Sequence, residues 1–524
     1  MRKRLAIVFV LVCASAFGQS PEIKVITSAA EALGGKDRIL SIKTLKIQGY
    51  GQMAYMNGGG NITASPDAPQ KWWNVGGVER TIDFEHGRMR LKQRQLTDFV
   101  FANIPLMTTG MRINQTLDGD IAYNLGGGGF GPPIPENKAT RAPEAAVRER
   151  RIEMLDNPVS IVRAALDPAT KISGLRNEAG HQVLDIATGR GDKLTLAIDG
   201  ATHLPVWLSW VGADANLGDV RYRTYFTGYQ AEHGIMLPFG YNTKIDFRDI
   251  VQNKLYVDRN TVDGPIVDLA VPAEIRSTPA PGARTISVEA TPVAKGVWYL
   301  KGAGGSTVFE FADHLTMFEV NGNEQTAKAN IDKARSLVPG KPLTEVIVSH
   351  HHFDHSGGLR TAVAEGLTII THRGNVVLFK EMAARPAKAF PDALGRNPKQ
   401  IRIVAVDEKL VLKDSAMEVV VYHAINNSHM ANGIFAYVPR DKLVAEGDFV
   451  DEGWDLVYWG NTYPDSVNYY KLQVDKDLPV HGSIHTYTEV LEYLKKQTKN
   501  AQDLCDRVEK AGLSMQGCPV SNTF

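Results

Sequence analysis

The stretch Val346–Arg360, VIVSHHHFDHSGGLR, sets four histidines and one aspartate within six consecutive positions, between an apolar β-branched run and a pair of glycines. The chain holds only 14 histidines in 524 residues, so this crowding is not a chance feature. An affinity tag would sit at a terminus, and a solvated turn would not have VIVS before it and GGLR after it. The apolar run predicts a strand ending near Ser349 that delivers the polar side chains into a tight loop. Positions i and i+2 of an extended segment point the same way, so His350 and His352 can face one cation together. The following turn redirects Asp354 and His355 toward a second, adjacent position, while His351 faces away and Phe353 packs inward. Imidazole nitrogens with carboxylate oxygens form a donor set suited to zinc, with iron or manganese as substitutes.

One loop cannot close two cation sites, so later strand ends must contribute. NNSHMANGIFAYVP offers His429 just before a strand, KLVAEGDFV offers Asp448 just after one, and LPVHGSIHTYTE offers His481 in a turn. His423 competes with His429 and His485 with His481. The strand after His429, and the proline and glycine around His481, favour the first of each pair. Asp448 has a bland rival reading as the end of a Gly-Asp turn. His314 and His372 read as surface or core histidines.

The order and spacing of these residues resemble the metallo-β-lactamase-fold hydrolase superfamily over roughly residues 290–500. The resemblance implies an αββα sandwich. It also implies two Zn²⁺ ions (Fe or Mn as alternatives), with His350, His352 and His429 on one, Asp354, His355 and His481 on the other, and Asp448 bridging. A shared hydroxide would attack the substrate, and Asp354 would orient it and shuttle its proton. The superfamily cleaves β-lactams, lactones, thioesters, phosphodiesters and sulfate esters, so fold does not choose the bond. The bridging aspartate resembles the general hydrolase branch, and the lysine that would pair a β-lactam carboxylate is missing from GDFVDEGWDL. Trp454, Tyr458 and Trp459 could line an apolar pocket mouth or simply pack under a loop. Three other readings stay open: a carrier with a non-catalytic domain of this fold, a β-lactamase, and an iron enzyme handling oxygen or sulfur.

Residues 20–276 read differently. Short strands such as TIDFEHGRMRLKQ, KLTLAID, PVWLSWV and VRYRTYFTGYQ alternate with Gly, Asp and Asn turns, predicting a mainly antiparallel β domain, a partial barrel. A helix is expected before Gly34-Gly35, and a helical interruption around NKATRAPEAAVRERRIEMLDNPVSIVRAAL. The phrases ALGGKDRILSIKTLKIQG, IDGATHLPVWLSW and HGIMLPFGYNTKIDF are similar to periplasmic lipoprotein-carrier folds, half-open barrels that hold acyl chains. That likeness implies a small, lipid-like or hydrophobic ester as substrate and transfers no residue role. The glycine clusters MNGGGN and NLGGGGFGPPIP read as surface loops, because prolines rather than a helix follow the second.

The opening MRKRLAIVFVLVCASAFGQ reads as a secretory signal peptide over residues 1–19: a basic start, then an apolar stretch too short to span a bilayer. The expected location is periplasmic or secreted. The proline-rich STPAPGART, 277–285, reads as a linker to a hydrolase domain over 286–524. No other apolar run approaches ~18 residues, so no transmembrane segment is expected after cleavage. With 58 basic and 58 acidic side chains, the chain carries no electrostatic footprint for nucleic acid. Cys505 and Cys518 are close enough in sequence for a local disulfide or for two free thiols. Composition fixes no oligomeric state.

Overall fold

The structure is a computed structural model. It describes residues 20–515 and Cys518, apart from 58–64, 66–69, 100–109, 128–133, 283–284, 451–452, 455 and 458. The expected signal peptide, most of the MNGGGN cluster, part of the second glycine cluster and Tyr458 lie outside the described residues. No described helix is long and apolar enough to cross a membrane.

Residues 44–262 form one open sheet of 13 antiparallel strands, with Ile134–Arg141 at one edge and Lys171–Glu178 at the other. Helices Pro21–Ala32 and Pro158–Leu166 bury Ile26, Ala29, Val159 and Val162 against it, beside Leu45, Ile47, Leu196 and Leu208. Alternation drives this packing: along Thr44–Ala54 every second residue from Leu45 to Gly51 is buried.

Two expectations are corrected here. TIDFEHGRMRLKQ is a hairpin, Trp72–Asp83 with Arg88–Thr97, turned where Asp83 Oδ1 accepts the amides of Glu85 and His86 at 3.1 Å each. The helical interruption begins only at Ala145; its opening residues lie in the edge strand Ile134–Arg141, and Pro143 sits between the two. Beyond Gly34-Gly35 a second short helix, Lys36–Ser41, precedes the strand that holds Leu45 and Ile47.

The C-terminal part is a four-layer αββα sandwich. A seven-stranded mixed sheet from Glu289–Ala294 to Arg402–Val406 faces a six-stranded sheet from Lys409–Lys413 to His485–Thr486. Between them lies an apolar layer including Phe309, Ile347, Ile370, Val421, Ala436 and Leu478. Helices Glu324–Leu337, Leu359–Ala364 and Val376–Ala384 cover the outer face of the first sheet. Thr462–Tyr469 and Tyr487–Lys510 cover the second. The last helix starts at a capping box, Thr486 with Glu489, and its end is tied by a Cys505–Cys518 disulfide.

The two halves are stitched together. Asp219 Oδ2 accepts the amides of Lys388 and Ala389 at 2.7 Å, and Oδ1 accepts that of Phe390 at 3.0 Å. Arg385 donates back to the carbonyls of Leu217 and Asp219. Leu217, Val220, Ile245 and Phe247 of the first half are buried in the helix-side core of the second.

Candidate metal centre

Five backbone segments converge at one end of the sandwich. The strand Leu343–Ile347 runs into His350 and His352, and the one-turn helix Phe353–Ser356 carries Asp354 and His355. His429 comes from the loop before Ile434–Val438, Asp448 follows Leu443–Glu446, and His481 follows Lys476–Pro479. All seven residues singled out from the sequence are here. The expected tight loop at 353–356 is instead a helical turn, because Ser356 donates through its amide and its Oγ to the His352 carbonyl.

Two glycines make the convergence sterically feasible. A Cβ on Gly357 would stand 1.9 Å from the Gly322 carbonyl oxygen, and one on Gly447 would stand 2.5 Å from Ser349 Oγ. The second contact gives Gly-Asp a site-specific reason beyond turn preference: strand end 446–448 must pass directly against His350.

The donor atoms fall into two groups, His350, His352, His429 and Asp448 on one side and Asp354, His355 and His481 on the other. Asp448 Oδ2 lies 2.9 Å from His429 Nε2, 3.2 Å from His350 Nε2 and 3.9 Å from His352 Nδ1. Its other oxygen, Oδ1, lies 2.8 Å from His355 Nε2 and 3.4 Å from His481 Nε2. His481 Nε2 and His355 Nε2 face each other at 3.0 Å, and Asp354 Oδ2 is 3.6 Å from His355 Nε2 and 3.5 Å from His481 Nε2.

Charge and burial fit this donor set to cations. Burial holds His350, His352 and His429 below the usual imidazole range, His429 at about 4, so their nitrogens are neutral lone-pair donors. Lys71 of the N-terminal half pushes His429 the same way. Burial opposes ionisation of Asp448, yet His355 and His350 hold it well below the carboxylate range. The same contest leaves Asp354 ionised beside His355 and His481. His350 Nε2 and His352 Nδ1 lie 3.0 Å apart in a buried space, close enough for both to donate lone pairs to one shared cation.

The histidines are oriented from behind. Glu319, fully buried, accepts from Ser349 Oγ and faces His355 Nδ1 at 3.1 Å; Ser349 Oγ in turn lies 2.9 Å from His350 Nδ1. One carboxylate thus fixes the ring orientation of a histidine in each group. Trp459 stacks on His429 with centroids 4.1 Å apart and donates Nε1 to the Asp448 carbonyl at 2.7 Å. Trp454 stands 5.9 Å from the His481 ring, so both tryptophans border the centre. The rival histidines are engaged elsewhere: His423 stacks on His372 and lies 3.0 Å from the Ala431 carbonyl, and His485 packs on Tyr493.

Sequence reasoning missed Glu319, Ser349 and Asn57. Asn57 belongs to the MNGGGN stretch read as a mere surface loop; that reading is corrected for Asn57. Its Nδ2 donates to Asp354 Oδ1 at 2.9 Å, and its Oδ1 accepts the amides of Phe353 at 2.6 Å and Asp354 at 3.2 Å. Helix 353–356 has no side-chain cap from its own N-cap residue, His352, so Asn57 caps it from the other half of the chain. No local pattern around Asn57 could have shown this.

Residues 321–450 match the sequence profile of the metallo-beta-lactamase superfamily. A linear primary-alkylsulfatase of Pseudomonas sp. is 41% identical over 59 residues, which is 11% of this chain and only 9% of the alkylsulfatase. An uncharacterised protein of Methanocaldococcus jannaschii is 25% identical over 198 residues, 37% of this chain and 67% of that protein. Among solved structures, a metallo-beta-lactamase from Pontibacter korlensis aligns over 40% of this chain and 100% of its own, at 15% identity and a TM-score of 0.32. A stereoselective inverting sec-alkylsulfatase from Pseudomonas sp. aligns over 45% of this chain and 46% of its own, at 17% identity and a TM-score of 0.32. The profile match falls on the segment that carries six of the seven candidate ligands, His481 being the seventh. Over residues 321–450, then, this chain is similar to the metallo-beta-lactamase superfamily, and the same segment carries most of the donor groups that could hold a metal ion.

Proposed function

We propose that the mature chain is a periplasmic or secreted di-zinc hydrolase that cleaves an ester-, lactone-, thioester- or phosphodiester-like bond in a small, partly hydrophobic molecule. One observation carries the reading: the two oxygens of Asp448 face two separate donor groups, 2.9 Å from His429 on one side and 2.8 Å from His355 on the other. His350, His352 and His429 would hold one zinc, Asp354, His355 and His481 the other, with Asp448 shared. The Cys505–Cys518 disulfide supports an oxidising compartment.

When bound, such a pair supplies Lewis acidity and a water acidified toward neutral pH. The chain does the rest. Glu319 and Ser349 hold the imidazoles in one orientation, and Trp459 shields His429 from bulk water. Asp354 is ionised, with a side chain 45% exposed on the open side of the centre. With Asn57 on one lone pair of Oδ1, the other can take the proton of the attacking water and return it to the leaving group.

The test is metal analysis of the purified chain, followed by a panel of chromogenic esters, lactones, phosphodiesters and nitrocefin with and without chelator. The reading expects two zincs per chain and chelator-sensitive turnover that His352→Ala and His355→Ala both abolish. Unchanged activity in those variants overturns it. Iron in place of zinc points to oxygen or sulfur chemistry, and metal without turnover points to a carrier.

A further inference from the structure

The two faces of the N-terminal sheet differ in kind. One is buried beneath the helices Pro21–Ala32 and Pro158–Leu166. The opposite face, followed through the strand register, gathers cations. Along Arg88–Thr97 the outward positions Arg90, Lys92 and Arg94 recur at every second residue. Lys46 stands opposite Thr81, which in turn stands opposite Arg90. On Val251–Val262, Arg259 opposes Gln48 and Lys254 opposes Gln52.

Carboxylates on the same four strands, 44–54, 72–83, 88–97 and 251–262, do not balance this charge. Asp83 is held by the turn amides of Glu85 and His86, and Arg88 is matched by Asp118 at 2.9 Å. That leaves Glu79, opposite Lys92 and Gln48, and Asp258, next to Arg259. The six cations named above thus face two carboxylates, in a chain whose charges otherwise cancel. Aromatic rings stand among them. Tyr50 and Tyr256 oppose each other across two strands, 54% and 49% exposed, with ring centroids 5.7 Å apart. Lys254 Nζ lies 5.5 Å from the ring centroid of Trp72, beside them.

We propose that this face docks the protein on an anionic lipid surface. The cations pair with headgroup phosphates, and the two tyrosines and Trp72 sit at headgroup level, where amphipathic rings are favoured. The shape of the array selects this partner. Three strand spacings make it ~14 Å wide, and Arg90 to Arg94 makes it ~13 Å long. Charge spread over an area suits a sheet of phosphates, whereas a linear polyanion is matched by a line of charge. Strand 44–54 also runs from this face toward the metal centre: Tyr50 and Asn57 are seven residues apart, at most ~25 Å. A docked chain therefore keeps its metal centre close to lipid, where partly hydrophobic molecules collect. The docking itself stands independently of the hydrolase reading.

The test is flotation of the full chain with vesicles of phosphatidylcholine alone and of phosphatidylcholine mixed with phosphatidylglycerol. The proposal expects binding to the mixed vesicles only, weakening as salt rises. A basic side chain near such a surface is worth about fivefold in partition, so Lys92→Gln with Arg94→Gln should lose roughly 20-fold. Tyr50→Ser with Tyr256→Ser should also weaken binding while keeping its salt dependence. Metal content should match wild type in every variant, since none of these residues touches the donor set. Absence of wild-type binding overturns the proposal, as does equal partition of wild type and either double variant. Retention on heparin or on a single-stranded oligonucleotide through the same cations, without vesicle binding, overturns it in favour of a linear polyanion. Should melting curves show the Lys92–Arg94 variant unfolded, Lys46→Gln with Arg259→Gln decides by the same criterion.

Discussion

Asn57 and Asp354 stand 297 residues apart in the chain and are joined by a 2.9 Å hydrogen bond, with two further backbone amides of the same turn on the Asn57 side-chain oxygen Oδ1. Asn57→Ala removes all three contacts and leaves the donor set in place. Loss of one helix cap alone costs about 1 kcal/mol, and a loosened Asp354 should lower kcat by roughly 10- to 100-fold, as misplaced reacting groups do. KM and the metal content of the His350–His352–His429 side should change little. Steady-state kinetics paired with metal analysis checks this.

Glu319 braces the two groups from behind, through His355 and through Ser349 to His350. Glu319→Gln keeps the shape and removes the charge. Outer partners of this kind are worth about 10- to 100-fold in metal affinity, so chelator competition should show a loss in that range in a chain that still folds.

Asp156 lies buried in the N-terminal half, with Thr224 Oγ1 donating to its Oδ2 at 2.9 Å and Arg80 nearby. Burial raises its carboxyl to about 7 against the pull of Arg80, whereas the unfolded chain titrates near 4. The folded state therefore binds the extra proton. Its contribution to stability is complete below about pH 4 and is lost as pH rises through 7, at a slope of up to about 1.4 kcal/mol per pH unit. Asp156→Asn should narrow the wild-type gap in Tm between pH 5 and pH 8, measured by calorimetry.

The Cys505–Cys518 bond closes a 13-residue separation at the end of the final helix. A loop of that size is worth about 3 kcal/mol in the chain-entropy account. Cys518→Ser should lower stability by roughly that amount. Hydrogen exchange should locate the loosening at the C-terminal turns of Tyr487–Lys510, with the metal donors unaffected.

The donor set was legible in the sequence because a strand-turn unit concentrates its chemistry: apolar VIVS, then the polar cluster, then glycine. His429, Asp448 and His481 were legible by their places at strand ends. The layered second half was equally readable from alternating strand and helix periods. Glu319, Ser349 and Asn57 were not, since each acts through partners that only the tertiary fold brings near. Glu319 reads as the last residue of an ordinary strand, FE, yet sits at a φ of 78° that turns its carboxylate beneath His355.

The asparagine clasp has a consequence for how the molecule matures. Ring closures spanning nearly three hundred positions are entropically slow and come late. A nascent or truncated polypeptide would thus present a slack nest of imidazoles, and tight ion uptake would report that both halves have come home.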